Sequence, residues 1–192
     1  MLTAKAQSTD HTAASLVAKT DMQQAARAGG IFHVRCYGAD GELKWETSEP
    51  NLVVNQGLQD MNSKYFTASG YTAAWYLGLV TGPASGTTFA AGDTLASHAG
   101  WTEYTDYAGS RKAVTFGTAT TADPSVISNT ASAASFTISG AGGVIAGAFL
   151  GSVASGTSGI LFSASDFQSP GDRTVVSGDT LNVTYSFSLD AA

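Results

Sequence analysis

Leu181-Asn182-Val183-Thr184-Tyr185-Ser186-Phe187-Ser188-Leu189 places an apolar residue at every odd position and a small polar one at every even position. Side chains alternate between the two faces of a strand. This period of two therefore predicts a half-buried antiparallel strand, with core on one side and water or a partner on the other. Ser177-Gly178-Asp179-Thr180 before it reads as a turn.

The same logic carries back through the chain. Ile31-Phe32-His33-Val34-Arg35-Cys36-Tyr37 is rich in β-branched and aromatic residues. Gly38-Ala39-Asp40-Gly41 is a turn cluster, and Glu42-Leu43-Lys44-Trp45-Glu46-Thr47 resumes the alternation, so the whole reads as a β-hairpin looping near Asp40-Gly41. Ala74-Trp75-Tyr76-Leu77-Gly78-Leu79-Val80 is apolar without alternation, as expected of a strand covered on both faces. Residues 111–118, 134–139, 144–150, 159–162 and 174–176 are further strand candidates, and residues 81–99 form a long loop. One segment is helical: over residues 52–66, Val54, Leu58, Met61 and Tyr65 recur at spacings of four, three and four. They share a face expected to pack on the sheet, with Asn55 as the cap. Short strands, Gly-rich turns and one helix predict a mainly β fold, an antiparallel β-sandwich or jelly-roll-like barrel.

Residues 1–29 differ. They are Ala, Thr, Ser and Gln with few bulky apolar residues; over residues 15–27 only Leu16, Val17 and Met22 qualify. Such a segment cannot bury enough surface to hold itself in place. The expected organisation is an N-terminal arm over 1–29, flexible or ordered on a partner, and a β-sandwich body over 30–192.

Hydrophobic residues make up 43% of the 192 and aromatics 10%, enough for a core. Charged residues are only 12%, about half the usual share of roughly 25%. That leaves a surface uncharged enough to be covered by neighbours. A net charge of −6 with nine Lys and Arg disfavours direct nucleic-acid binding, which needs a basic surface. Cys36 is the only cysteine, which excludes an intrachain disulfide and a Cys-based zinc site; a buried strand position is its expected role. The start of the chain does not read as a secretory signal, and residues 144–150 are too short to span a bilayer.

Catalytic constellations are hard to assemble. His11, His33 and His98 have no zincin or His-x-His spacing. His98 precedes Glu103 and Asp106, yet no Gly-x-Ser-x-Gly elbow frames a serine. Gly140-Ala141-Gly142-Gly143-Val144-Ile145-Ala146-Gly147 lacks the Lys-Ser/Thr ending of a phosphate loop and the third glycine of a dinucleotide fingerprint. It reads as a turn and a strand in which Gly147 allows close backbone packing. No catalytic residue, metal or cofactor is assigned, and the protein is not expected to be an enzyme.

Gly100-Trp101-Thr102-Glu103-Tyr104-Thr105-Asp106-Tyr107, followed by Arg111-Lys112, stands out instead. Either it is a strand with core aromatics, or Trp101, Tyr104, Tyr107 and Arg111 anchor a protein interface, where Trp, Tyr and Arg dominate. A carbohydrate-stacking platform is a third option. Leu16 and Met22 of the arm join the interface candidates.

Gly30-Ile31-Phe32-His33-Val34, Leu43-Lys44-Trp45, Asn51-Leu52-Val53-Val54-Asn55-Gln56-Gly57-Leu58-Gln59-Asp60-Met61 and Trp75-Tyr76-Leu77-Gly78-Leu79 together resemble small structural proteins encoded by tailed bacteriophages. So do Gly92-Asp93-Thr94-Leu95, Gly100-Trp101-Thr102-Glu103 and Gly178-Asp179-Thr180-Leu181. The resemblance runs from about residue 29 to the end. It implies a virion component assembled in the host cytoplasm, foremost a capsid decoration (cement) protein that binds and stabilises the shell of major capsid protein. The alternative within that class is a tail, collar or fibre-attachment protein; from another class, a carbohydrate-binding module. Implied partners are the major capsid protein or other virion subunits and further copies of the chain, a trimer preferred, with neither nucleic acid nor membrane.

Overall fold

The computed structural model describes residues 26–67, 69–71, 74–82, 86–168 and 171–191. Among the described residues strands hold 47% and helix 8%, arranged as antiparallel sheets packed together in a β-sandwich.

The alternating stretch that opens the sequence reading is the spine of the first sheet. It lies in β13 (Thr180–Ala191), which pairs along its whole length with β1 (Ala26–Tyr37), from Ala26 opposite Ala191 to Tyr37 opposite Thr180. β2 (Leu43–Pro50) flanks β1. On its other side β13 takes two short strands in succession, β8 (Ala134–Thr137) along Thr180–Val183 and β7 (Ser125–Ser128) along Ser186–Leu189. The β1–β2 turn is as expected: Gly41 has a φ of 82°, and the Asp40 carboxylate accepts the Glu42 N–H at 3.1 Å.

The second sheet runs β3 (Leu52–Val53), β11 (Leu161–Asp166), β10 (Gly147–Gly151), β4 (Tyr76–Thr81) and β5 (Thr102–Tyr104), with β6 (Lys112–Ala113) also on β4. β9 (Gly143–Ile145) and β12 (Arg173–Val175) form a separate pair. Between the large sheets, Phe32, Val34, Cys36, Leu181, Val183 and Tyr185 of the first meet Leu77, Leu79, Ala148 and Leu150 of the second. The outer face of the second sheet is covered as well. Val80 and Phe149 point there into a second cluster with Leu95 and Trp101. β4 is thus buried on both faces, which is why its sequence does not alternate.

Several sequence expectations need correction. Ala26–Gly29, expected in the arm, are part of β1: poor strand formers by themselves, they are drawn into the ladder because β13 continues to Ala191. Leu52 and Val53 pair with Ala164 and Ser163 as a strand, so α1 spans Asn55–Phe66 only. Val54, not Asn55, is its N-cap residue and makes no side-chain cap; the Asn55 N–H is taken by the Ala91 carbonyl at 2.8 Å. Of the expected helix face Val54 and Met61 do pack on the core, but the other two residues do not. Leu58 is 39% and Tyr65 84% exposed, whereas Gly57 is buried. A Cβ on Gly57 would lie 2.4 Å from the Phe162 carbonyl oxygen, so the helix approaches β11 backbone to backbone at this glycine. Residues 144–150 divide at Ala146, whose N–H goes to Val80 O and whose carbonyl accepts Phe167 N–H. In residues 111–118 only Lys112–Ala113 is strand. Gly147 behaves as read: a Cβ there would meet Ser165 O at 2.2 Å.

A buried carboxylate pins the turn into β13. Asp179 is 1% exposed; its Oδ2 accepts the Lys44 ammonium at 2.6 Å and the Val176 N–H at 2.9 Å. Asp179→Ala leaves a buried backbone donor and a lysine without their acceptor, for an expected loss of about 2–4 kcal/mol in urea denaturation. Asp179→Asn retains an acceptor oxygen for Val176 and should lose less.

Candidate functional site

The residues singled out from sequence are core. Trp101, Tyr104, Tyr107 and Arg111 are only 3–6% exposed, which corrects their reading as surface anchors. The outer face of β4 and β10 has to be covered, and the loop before β5 supplies the cover. Trp101 packs on Phe149 and Phe89 and stacks on His98 at 3.7 Å between ring centroids. Its indole N–H donates to Asp93 Oδ2 at 3.0 Å, so the polar edge is satisfied too. Tyr107 meets Phe136 edge to face, and burial pushes the hydroxyls of Tyr104 and Tyr107 above the usual tyrosine pKa. Arg111 grips Glu103 with two hydrogen bonds of 2.8 and 2.7 Å, donates to the Val153 carbonyl and lies over the Phe149 ring. These groups lock the second sheet and offer no face to a partner or a sugar. Leu16 and Met22 lie outside the described residues.

The sequence neighbours of His98 are committed elsewhere. His98 Nδ1 lies 2.9 Å from the Trp101 carbonyl oxygen, to which it can only donate; Glu103 is held by Arg111, and Asp106 Oδ2 accepts the Gly142 N–H. His33 sits in β1 beside Ser48 and Glu46 on β2, and His11 lies outside the described residues. Among the described residues no group of three or more His, Cys, Asp or Glu is placed to hold a metal ion, and no helix is long and apolar enough to cross a membrane. Cys36 is fully buried, and desolvation together with the nearby Asp179 carboxylate raises its thiol to about 11.

The feature that sequence reasoning missed is an apolar groove of about 830 Å³ at one side of the sandwich, between α1 and the last turns of the β13 ladder. Its floor is continuous with the core: Trp75 meets Phe162 at 5.3 Å, Phe162 meets Phe187 at 5.3 Å, and Phe116 meets Tyr185 at 6.3 Å. Phe187 and Leu189 close one wall. The alternation of β13 therefore serves two surfaces. Leu181, Val183 and Tyr185 are 0% exposed in the sandwich, while Phe187 is half-buried and Leu189 is 43% exposed in the groove.

The opposite rim belongs to the helix. Tyr65, Phe66 and Tyr71 are 84%, 76% and 67% exposed, and the first two rings stack edge to face at 4.9 Å. The helix ends here because Thr67 caps it, its N–H and hydroxyl both reaching the Ser63 carbonyl at 3.1 and 2.6 Å. Lys64 donates to the Gly70 carbonyl, next to Tyr71. Asp60, 3.9 Å from Lys64, is the other charged group on the rim. The adjacent pair Tyr65-Phe66 was the available signal: neighbouring residues on a helix point about 100° apart, so both rings cannot face the sheet.

Fold and site together define the class: an antiparallel β-sandwich with a lateral, aromatic-rimmed apolar groove. Comparison with protein-family models, curated proteins and solved structures gave no match for the chain.

Proposed function

We propose that the protein is a structural subunit of a tailed-phage particle, and within it a capsid decoration protein that binds the major capsid protein through the apolar groove. The observation that carries the binding half of this reading is the rim itself. Three aromatic side chains more than 60% exposed border a groove whose walls are apolar. Contiguous exposed apolar surface of this kind marks interaction sites, and rigid aromatic rings are the side chains that anchor them. The particle half rests on the sequence resemblance from about residue 29 onward. A surface of low charge suits a subunit covered by neighbours, and a protein that binds only the assembled shell stabilises it by mass action. A trimer at or near a threefold position is the preferred arrangement. A tail, collar or fibre-attachment role uses the same groove in another place. The carbohydrate-binding alternative loses support, since Trp101, Tyr104 and Tyr107 are buried.

The test adds the full chain to particles that lack it, followed by electron cryo-microscopy and thermal release of DNA. Density at regular positions on the capsid lattice, with release shifted to higher temperature, is the expected result. Density confined to the tail would replace decoration by the tail reading, and absence from both would overturn the particle assignment.

A further inference from the structure

We infer that the groove is occupied in the free subunit by the N-terminal segment of the same chain, residues 1–25, which a neighbouring subunit must displace to dock. The inference rests on the groove being the docking surface proposed above and adds how that surface is regulated.

The position of the first described residue carries it. Ala26 is both the start of β1 and part of the groove lining, beside Leu189. The 25 residues before it are therefore joined to the described body at the edge of the groove. They include Leu16, Val17 and Met22, bulky apolar residues in a stretch otherwise small and polar. Met22 is four residues from Ala26, a reach of at most roughly 14 Å when extended, and Leu16 is ten residues away, at most roughly 36 Å. Both are within range of the rim. The segment cannot fold by itself, because it buries too little apolar surface against its conformational entropy. The groove is the complementary deficit, since Tyr65, Phe66 and Tyr71 stand in water. A tether this short holds the segment at millimolar effective concentration, so weak contacts suffice to keep it seated. Being weak, they give way to a subunit that fills the groove more completely.

Cysteine pairs in the full chain test this without any particle, so the result is independent of what the protein assembles with. Gln23→Cys is combined with Asn62→Cys, an exposed position on the groove, or with Leu43→Cys as a control. Leu43 lies opposite Tyr37 at the far end of β1, roughly 36 Å along the strand from Ala26. Cys36 is buried and its thiol is held neutral, so it does not compete. Mild oxidation followed by non-reducing electrophoresis should give a disulfide-closed monomer for the Gln23–Asn62 pair, at least about tenfold faster than for the control. Adding Leu16→Ser and Val17→Ser should slow that closure by about tenfold, which separates docking from tethering. Closure indifferent to those two substitutions, or no faster than the control, would overturn the proposal. Disulfide-linked dimers in place of closed monomers would overturn it too, by assigning the segment to the groove of a second copy.

Discussion

Replacing Tyr185 with alanine is expected to lower the unfolding free energy by about 3–5 kcal/mol. Tyr185 is completely buried at the middle of β13, where the two sheets and the groove floor meet. Its ring lies 4.7 Å from Phe32 and 6.3 Å from Phe116. Its hydroxyl accepts hydrogen bonds from the Asn51 amide at 2.8 Å and from Ser163 at 3.2 Å, tying the start of β3 and the middle of β11 to the first sheet. Its own N–H and carbonyl are held by Asn129. Alanine removes the ring and leaves a cavity, and it also strips two buried donors of their acceptor. Tyr185→Phe divides these contributions: the ring stays, and the expected loss falls to about 1–3 kcal/mol. Urea denaturation of both variants checks the order, and an alanine variant within about 1 kcal/mol of the parent would show that the sheets are not keyed at this residue.

How much of this was legible beforehand depends on what each signal measures. Alternation reports which face of a strand is wet. It therefore found β13 and the β1–β2 hairpin, where one face of each is buried in the sandwich. An unbroken apolar run reports burial on both faces, and it found β4. Neither pattern could find β7, where Val126 and Ile127 stand between serines and owe their strand geometry to the free edge of β13 beyond β8. Nor could a run of apolar letters show the break at Ala146, which exists because the chain passes there from the small β9–β12 pair to the central sheet. The helix face was partly misjudged for a related reason. Periodicity weighs bulky residues, whereas the contact is made at Gly57, whose value is the side chain it lacks. Trp101 and Arg111 illustrate the hardest case. An aromatic and arginine cluster has the same composition in an interface as over a buried sheet, and only the apolar outer face of β4 and β10, which this cluster covers, decides between them. The groove was hidden because it is assembled from many separated segments, among them the end of α1, Tyr71, Trp75, Phe116, Phe162 and the end of β13.

Substituting serine for Tyr65, Phe66 and Tyr71 together is expected to weaken binding to particles by about 100-fold or more while leaving the fold intact. The two halves of this expectation follow from the same exposures. Rings standing 84%, 76% and 67% in water contribute little to the core, so their removal should change stability by no more than about 1 kcal/mol. The same rings are the anchors of the groove, and truncating an anchoring aromatic at an interface costs about 2 kcal/mol or more, roughly 30-fold in affinity. Because the three share one patch, their losses will not sum, and about 100-fold is the lower bound to look for. Leu43→Ser is the matched control: it removes an apolar side chain 51% exposed at the hairpin end of β1, away from the groove. Co-sedimentation with particles reads the affinity and urea denaturation reads the fold. Undiminished binding by the triple variant, with Leu43→Ser behaving the same, would remove the groove as the docking surface. Loss of binding by Leu43→Ser alone would place the contact on the opposite end of the sandwich.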